Sequence, residues 1–294
     1  MFVWDGVFGR VGGRYAESMV HYERAREMLR KQKVLDEHCL LDVLYCIGIT
    51  MKMQGNWDGE MEMYEEAQAL ARKINEQAAA ADTLGSIAVI LNMKAQPVEA
   101  MRKLEESYKI FEGIQSQVGM AKVLDYMGDS LVLLGRYEEA LGKHKEAYEI
   151  LRSYGDPLGI GNALNSLGEV LMKLERYSEA EEKYRQALEL FERMRMPRGE
   201  ANVSLGLSKA LIMTEKDEEA GRMARRAFVV YESLGVDLLP QCVALEAVSL
   251  RLRGMEGEAV EKYEEAYWLY KRFEQEEGMQ KCLDAMAVES IEDN

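Results

Sequence analysis

The sequence predicts an all-α fold, a solenoid of antiparallel helix pairs, and three observations carry that prediction. Apolar residues recur at spacings of three and four, the signature of one helical face, while strand-like runs of Val, Ile and Thr are absent. Turns return at Gly13, Gly55, Ala95, Gly135, Glu175, Glu215 and Gly254, with separations of 42, 40, 40, 40, 40 and 39 residues. Small residues hold a fixed place after each turn: Ala25, Ala67, Ser107, Ala147, Ala187, Ala227 and Ala266. Neither helix of a pair can bury its apolar stripe alone, and stacking copies of the pair solves that problem.

Residues 159–194 show the unit most clearly. Leu164, Leu167, Gly168 and Leu171 share one face of a first helix, and Ala180, Tyr184, Ala187 and Phe191 share one face of a second. The small members let the two helices approach, and the large ones fill the space between them.

Counting from the turns places first helices at 37–54, 77–94, 117–134, 157–174, 197–214 and 238–253. Second helices fall at 14–31, 57–73, 97–113, 137–153, 177–194, 217–233 and 256–274, with a last helix at 277–290. Pro97, Pro157, Pro197 and Pro240 stand at or near helix starts, where a missing N–H costs little, and Asp156 is placed to cap the helix that Pro157 begins.

The register divides the chain into 1–12, a degraded or truncated first helix, then 13–276, the solenoid, and 277–294, a capping helix with an acidic tail. Glycines 6, 9 and 12 weaken the first segment by about 1 kcal/mol each relative to Ala. No polar cap is evident there, so self-association through an uncapped N-terminal end is an expectation. In the last helix Cys282, Leu283 and Met286 are expected to pack inward while Asp284, Glu289, Glu292 and Asp293 face water.

Charge narrows the function. With 52 acidic against 37 basic residues the net charge is −15, unsuited to neutralising nucleic-acid phosphates or meeting an anionic membrane. No run is long and apolar enough to span a bilayer. Cys39 and Cys46 lie seven residues apart on one helix, about 10 Å along its axis, too far for a disulfide. Together with Cys242 and Cys282 they read as reduced core thiols, and the expected location is cytoplasmic.

The unit resembles the tetratricopeptide repeat: Leu164, Leu167-Gly168, Leu171, Ala180, Tyr184 and Ala187 occupy the places of that pattern in order. The 40-residue period resembles the long-repeat subgroup found in kinesin light chains, spindle-orientation adaptors and sensor domains of bacterial activators. HEAT and armadillo solenoids fit less well, because no third helix or interior proline appears. The resemblance implies a right-handed superhelix whose first helices line a concave groove.

Little in the chain suggests catalysis or metal binding. No Gly-rich phosphate loop is present, and His21, His38 and His144 are scattered. His144 takes a second-helix place held elsewhere by Tyr64, Leu104, Tyr184 and Tyr263, so it reads as a packing residue. His38 with Cys39 and Cys46 lacks zinc-ligand spacing. No catalytic residue, metal or cofactor is expected, and the chain reads as a non-enzyme.

What remains is surface. Carried over position by position, the resemblance puts Tyr45 and Ile49, Gly85 and Val89, Asp125 and Asp129, Asn165 and Glu169, and Leu205 and Lys209 on the exposed groove. Asp82, Lys122, Asn162 and Asn202 lie one turn earlier. The partner-binding set is therefore Asp82, Asp125, Asp129, Asn162, Asn165, Glu169, Asn202 and Lys209. An Asn amide can both donate to and accept from an extended backbone, although the three asparagines can equally serve only to solvate the groove. The acids favour a basic peptide. The expected function is a scaffold or adaptor that holds a partner protein or peptide, and the alternative is a sensor whose superhelix responds to a peptide or small molecule.

Overall fold

A computed structural model of the chain describes residues 15–31, 36–53, 56–234 and 238–287. Every regular element in them is an α-helix. In order these are α1 Tyr15–Arg30, α2 Glu37–Met53, α3 Trp57–Lys73, α4 Gln77–Met93, α5 Pro97–Gly113, α6 Gln117–Leu133 and α7 Tyr137–Tyr154. There follow α8 Pro157–Lys173, α9 Tyr177–Met194, α10 Pro197–Met213, α11 Asp217–Leu234, α12 Leu239–Leu252, α13 Glu256–Arg272 and α14 Glu276–Ala287. The boundaries agree with those read from the sequence to within a residue or two, and residues 288–290 of the last predicted helix lie outside the described residues. The expectations for residues 1–12, Gly13, Gly55, Glu289, Glu292 and Asp293 lie outside the described residues.

The helices group into two compact units, residues 1–154 and 155–294. In each, every helix packs against the next in the chain. Helices two apart also touch, but only the first helices of pairs: α4 with α6 in the first unit, then α8 with α10, α10 with α12 and α12 with α14 in the second. Within each unit, therefore, the first helices of successive pairs touch one another while the second helices do not.

Ten of the helices end in the same way. Positive φ occurs at Asn75, Ala95, Gln115, Gly135, Gly155, Glu175, Arg195 and Glu215, which are 20 residues apart, and again at Gly254 and Glu274. The next residue's N–H reaches back to the last turn, as in Gln96 to Leu91 O at 2.8 Å and Lys216 to Leu211 O at 2.9 Å. This is a left-handed helix closure that satisfies otherwise orphan carbonyls. Sequence reasoning found the turn inside each pair. The breaks between pairs fall where the helix bounds read from the sequence put them, but their left-handed residues Asn75, Gln115, Arg195 and Glu274 carry no glycine signal.

Starts are equally local. Asp156 accepts from the Leu158 N–H at 3.1 Å and caps α8. Asn56 and Ser116 cap α3 and α6 in the same manner.

The small-residue places are all buried: Ala67, Ala147, Ala187, Ala227, Ala266 and Ser107 are fully so, and Ala25 is nearly so. Their small size makes room for rings on the second helices. The Tyr184 ring of α9 lies over Gly168 of α8 and Gly206 of α10, and Phe191 lies over Gly161 and Gly199 of the same two helices. Three sequence expectations fail on exposure. Gly85 is buried and Leu205 is only 6% exposed, so neither is an open groove residue. The Tyr126 ring lies over Gly85. At the chain's end Leu283 is 44% exposed, while Cys282 is buried. The helix offers one inward stripe, and Cys282 holds it.

Candidate functional site

The predicted site residues fall in both units. In the first, Asp82 of α4 pairs with Lys122 of α6 at 2.7 Å. The two stand 40 residues apart, at one place in successive repeats, and the Lys122 ammonium is also 6.0 Å from the centre of the Tyr126 ring. Partial burial opposes the charge on Lys122, but Tyr126 and Asp82 outweigh it and hold the amine above its ordinary pKa.

Asp125 of α6 meets His144 of α7, with Oδ1 to Nδ1 2.7 Å. An ionised carboxylate can only accept, so Nδ1 carries the proton. His144 is 1% exposed and packs flat on Gly128, while Asp129 lies 3.9 Å from its Nε2. The packing role read for His144 is what the structure shows, with the Asp125 hydrogen bond added. These acids do not form a bare anionic patch, since Asp82 and Asp125 are each engaged by a neighbour.

The second unit holds the other predicted residues, and most of them converge. A cavity of about 610 Å³ opens between α8, α9, α10 and α11, and Asn165, Glu169, Asn202 and Lys209 all line it. Its apolar wall comes from Tyr184, Leu205, Tyr231 and Leu238. Asn165 Nδ2 donates to Glu169 Oε1 at 2.7 Å, and the Tyr231 hydroxyl donates to Asn202 Oδ1 at 2.7 Å. Both asparagines are thus held in place at the cavity, with amide atoms left to meet a ligand. Asn162 is exposed on α8 and does not line the cavity.

Lys209 is the cavity's principal charge. Its ammonium reaches solvent, yet the surrounding protein desolvates it enough to lower its pKa, Glu169 pulling the other way and Lys173 adding to the fall. A second cavity, about 720 Å³, begins at the same lysine and runs between α12, α13 and α14 past Leu245, Val248, Tyr263 and Tyr270. Sequence reasoning missed Lys173, which lines the first cavity. The signal was there: Met93, Leu133, Met213 and Leu252 hold the matching place two residues before each turn, and α8 alone among those repeats substitutes a cation.

The remaining chemistry is sparse. Among the described residues no cluster of three His, Cys, Asp or Glu side chains could hold a metal, and no helix is long and apolar enough to cross a membrane. All four cysteines are free thiols, and burial pushes that of Cys242 up to about 12, which makes it inert.

The repeat in the sequence, whose period is about 40 residues, is matched by a family profile. The profile for the tetratricopeptide repeat covers residues 119–193 and 159–233. Residues 119–233 are tetratricopeptide repeats. A search of curated proteins gives no match.

Solved structures of similar fold superpose over most of the chain. BtubC (BKLC) from P. vanneervenii superposes with a TM-score of 0.65 at 15% identity, over 74% of this chain and 92% of that one. A signal transduction ATPase with numerous domains and a tetratricopeptide repeat sensor, from Pyrococcus horikoshii, gives 0.68 at 16% identity over 96% of this chain. This chain spans only 44% of that protein's length. A Rap protein complexed with competence and sporulation factor gives 0.65 at 16% identity, over 94% of this chain and 80% of that one. At such identities the likeness establishes the fold.

Proposed function

We propose that the chain is a non-catalytic interaction scaffold that holds an extended segment of a partner peptide or protein on the inner face of its second unit. The observation that carries this reading is the convergence of Asn165, Asn202 and Lys209 on one open cavity with an apolar wall. Amides at that spacing can bind a backbone, and the tyrosines and leucines supply area for a side chain. The adjoining cavity past Lys209 extends the surface in the way an elongated ligand requires.

Structural neighbours support a second reading, in which the same site serves a regulatory sensor. One is a Rap conjugation gene regulator in complex with the Phr* peptide, and the repeats of the Pyrococcus horikoshii ATPase are described as a sensor. In both readings the ligand occupies the groove, and they differ in whether its arrival changes the coil.

Panning a random peptide library against the full chain tests the site. Selected peptides should bind Asn165→Arg, which fills the cavity mouth, at least about tenfold more weakly than wild type, with unchanged thermal stability. Failure to select any binder, or equal binding to the variant, overturns the placement. A change in small-angle scattering on binding would favour the sensor, and an unchanged profile the scaffold.

A further inference from the structure

The cavity in the second unit holds two ammonium groups that, among the described residues, close no ion pair, although Glu169 attracts Lys209 from a distance. Lys173, at the end of α8, and Lys209, on α10, both line it. Among the described residues neither forms an ion pair within 4.0 Å or a hydrogen bond, although the chain carries 52 acidic residues against 37 basic ones. Other cations of the same unit are engaged: Lys216 and Arg185 on Glu181, Arg225 on Glu246, and Arg226 on Glu192 and Glu200.

Lys173 and Lys209 are also close enough to repel. Lys173 depresses the pKa of Lys209, on top of the larger effect of desolvation. Among the described residues the one carboxylate lining the cavity, Glu169, receives the Asn165 amide. One carboxylate against two amines leaves a local positive charge inside a protein whose net charge is −15. The apolar wall keeps the effective dielectric low, so an arriving anion is attracted more strongly than it would be at an open surface.

We propose that the segment held in this cavity carries an acidic side chain, received between Lys173 and Lys209; the proposal rests on the peptide-holding reading above. This reverses the charge expected from the sequence, because the acids that suggested a basic partner include Asp82 and Asp125, already engaged in the first unit. Lys209 borders both cavities, so an extended segment crossing from one to the other passes directly over its ammonium.

The test uses short, C-terminally amidated and N-terminally acetylated peptides obtained by panning, so that their carboxylates are side chains alone. Titration calorimetry on the full chain reads the affinity. The expected result is that selected peptides share an Asp or Glu, and that its replacement by Asn or Gln weakens binding about tenfold or more. Lys209→Met and Lys173→Met should each weaken binding of the acidic peptide and leave its amide analogue unaffected. Affinity should fall between about 0.05 and 0.5 M NaCl. Peptides that lack an acidic residue, bind wild type and are lost with Asn165→Arg would overturn the charge assignment and leave the peptide-holding reading standing. Acidic peptides indifferent to both lysine variants would overturn it equally. Absence of any binder would sink both readings together.

Discussion

A Cβ placed on Gly168 would stand 2.6 Å from the Tyr184 ring, and one placed on Gly206 would stand 2.7 Å from the same ring. Tyr184 is 2% exposed, so the ring has nowhere to withdraw. Gly168→Ala should therefore destabilise the fold by about 1–3 kcal/mol through overpacking. Thermal unfolding measures this directly, and the double variant Gly168→Ala with Tyr184→Leu should recover part of the loss. No change in melting temperature for the single variant would mean that these helices do not pack as described.

The helix closures predict a gain. Glu175 sits at φ 58° in the left-handed region, where a side chain costs energy and glycine does not. Glu175→Gly should stabilise by about 1 kcal/mol, and Gly135→Ala, at φ 72°, should cost a similar amount. Denaturant midpoints report both. Shifts of the same sign in the two variants would contradict the shared closure.

Glu181 supplies a pH dependence. It is 7% exposed and accepts from Lys216 Nζ at 2.7 Å, Arg185 Nε at 3.0 Å and Thr214 Oγ1 at 3.1 Å. Burial pushes its carboxyl up, but the bonds from Lys216, Arg185 and Thr214 outweigh that and hold it below the usual range. A depressed folded value means the stabilisation is complete above the unfolded value near pH 4.3 and disappears as pH falls through the folded one. Glu181→Gln should cost about 1–3 kcal/mol at neutral pH, with the gap to wild type closing on acidification. A gap constant across that range would argue against the charged network.

Glu60 predicts the opposite sign. It occupies the place held by Ala100, Ala140, Ala180, Ala220 and Ala259, is 2% exposed, and its Oε2 has no hydrogen-bond partner among the described residues. Burial pushes its carboxyl above the usual range, with Lys52 easing the effect. The charged form is thus disfavoured by folding, a penalty present above the folded value and absent below the unfolded one. Glu60→Ala should stabilise by about 1–2 kcal/mol at neutral pH and by less in acid, as measured by denaturation at both. Destabilisation at neutral pH would show that Glu60 has a partner beyond these residues.

The helices, their order and the buried small residues were legible in the sequence because the signals are local. Spacings of three and four mark a face, a proline marks a start, and a glycine such as Gly135 or Gly254 marks a stop. Once the 40-residue period is seen, the repeats align each other. Tertiary structure alone decided the charges. Whether Asp82 is free or engaged depends on where Lys122 of the next pair points, and His144 reaches Asp125 through a rotamer that no spacing reports. Side-chain exposure is likewise set by the neighbouring helix, which is why Leu205 and Leu283 were misjudged. The cavity beside Lys209 is a property of four helices at once, and only their packing brings Lys173 of one repeat and Lys209 of the next to one cavity with Glu169.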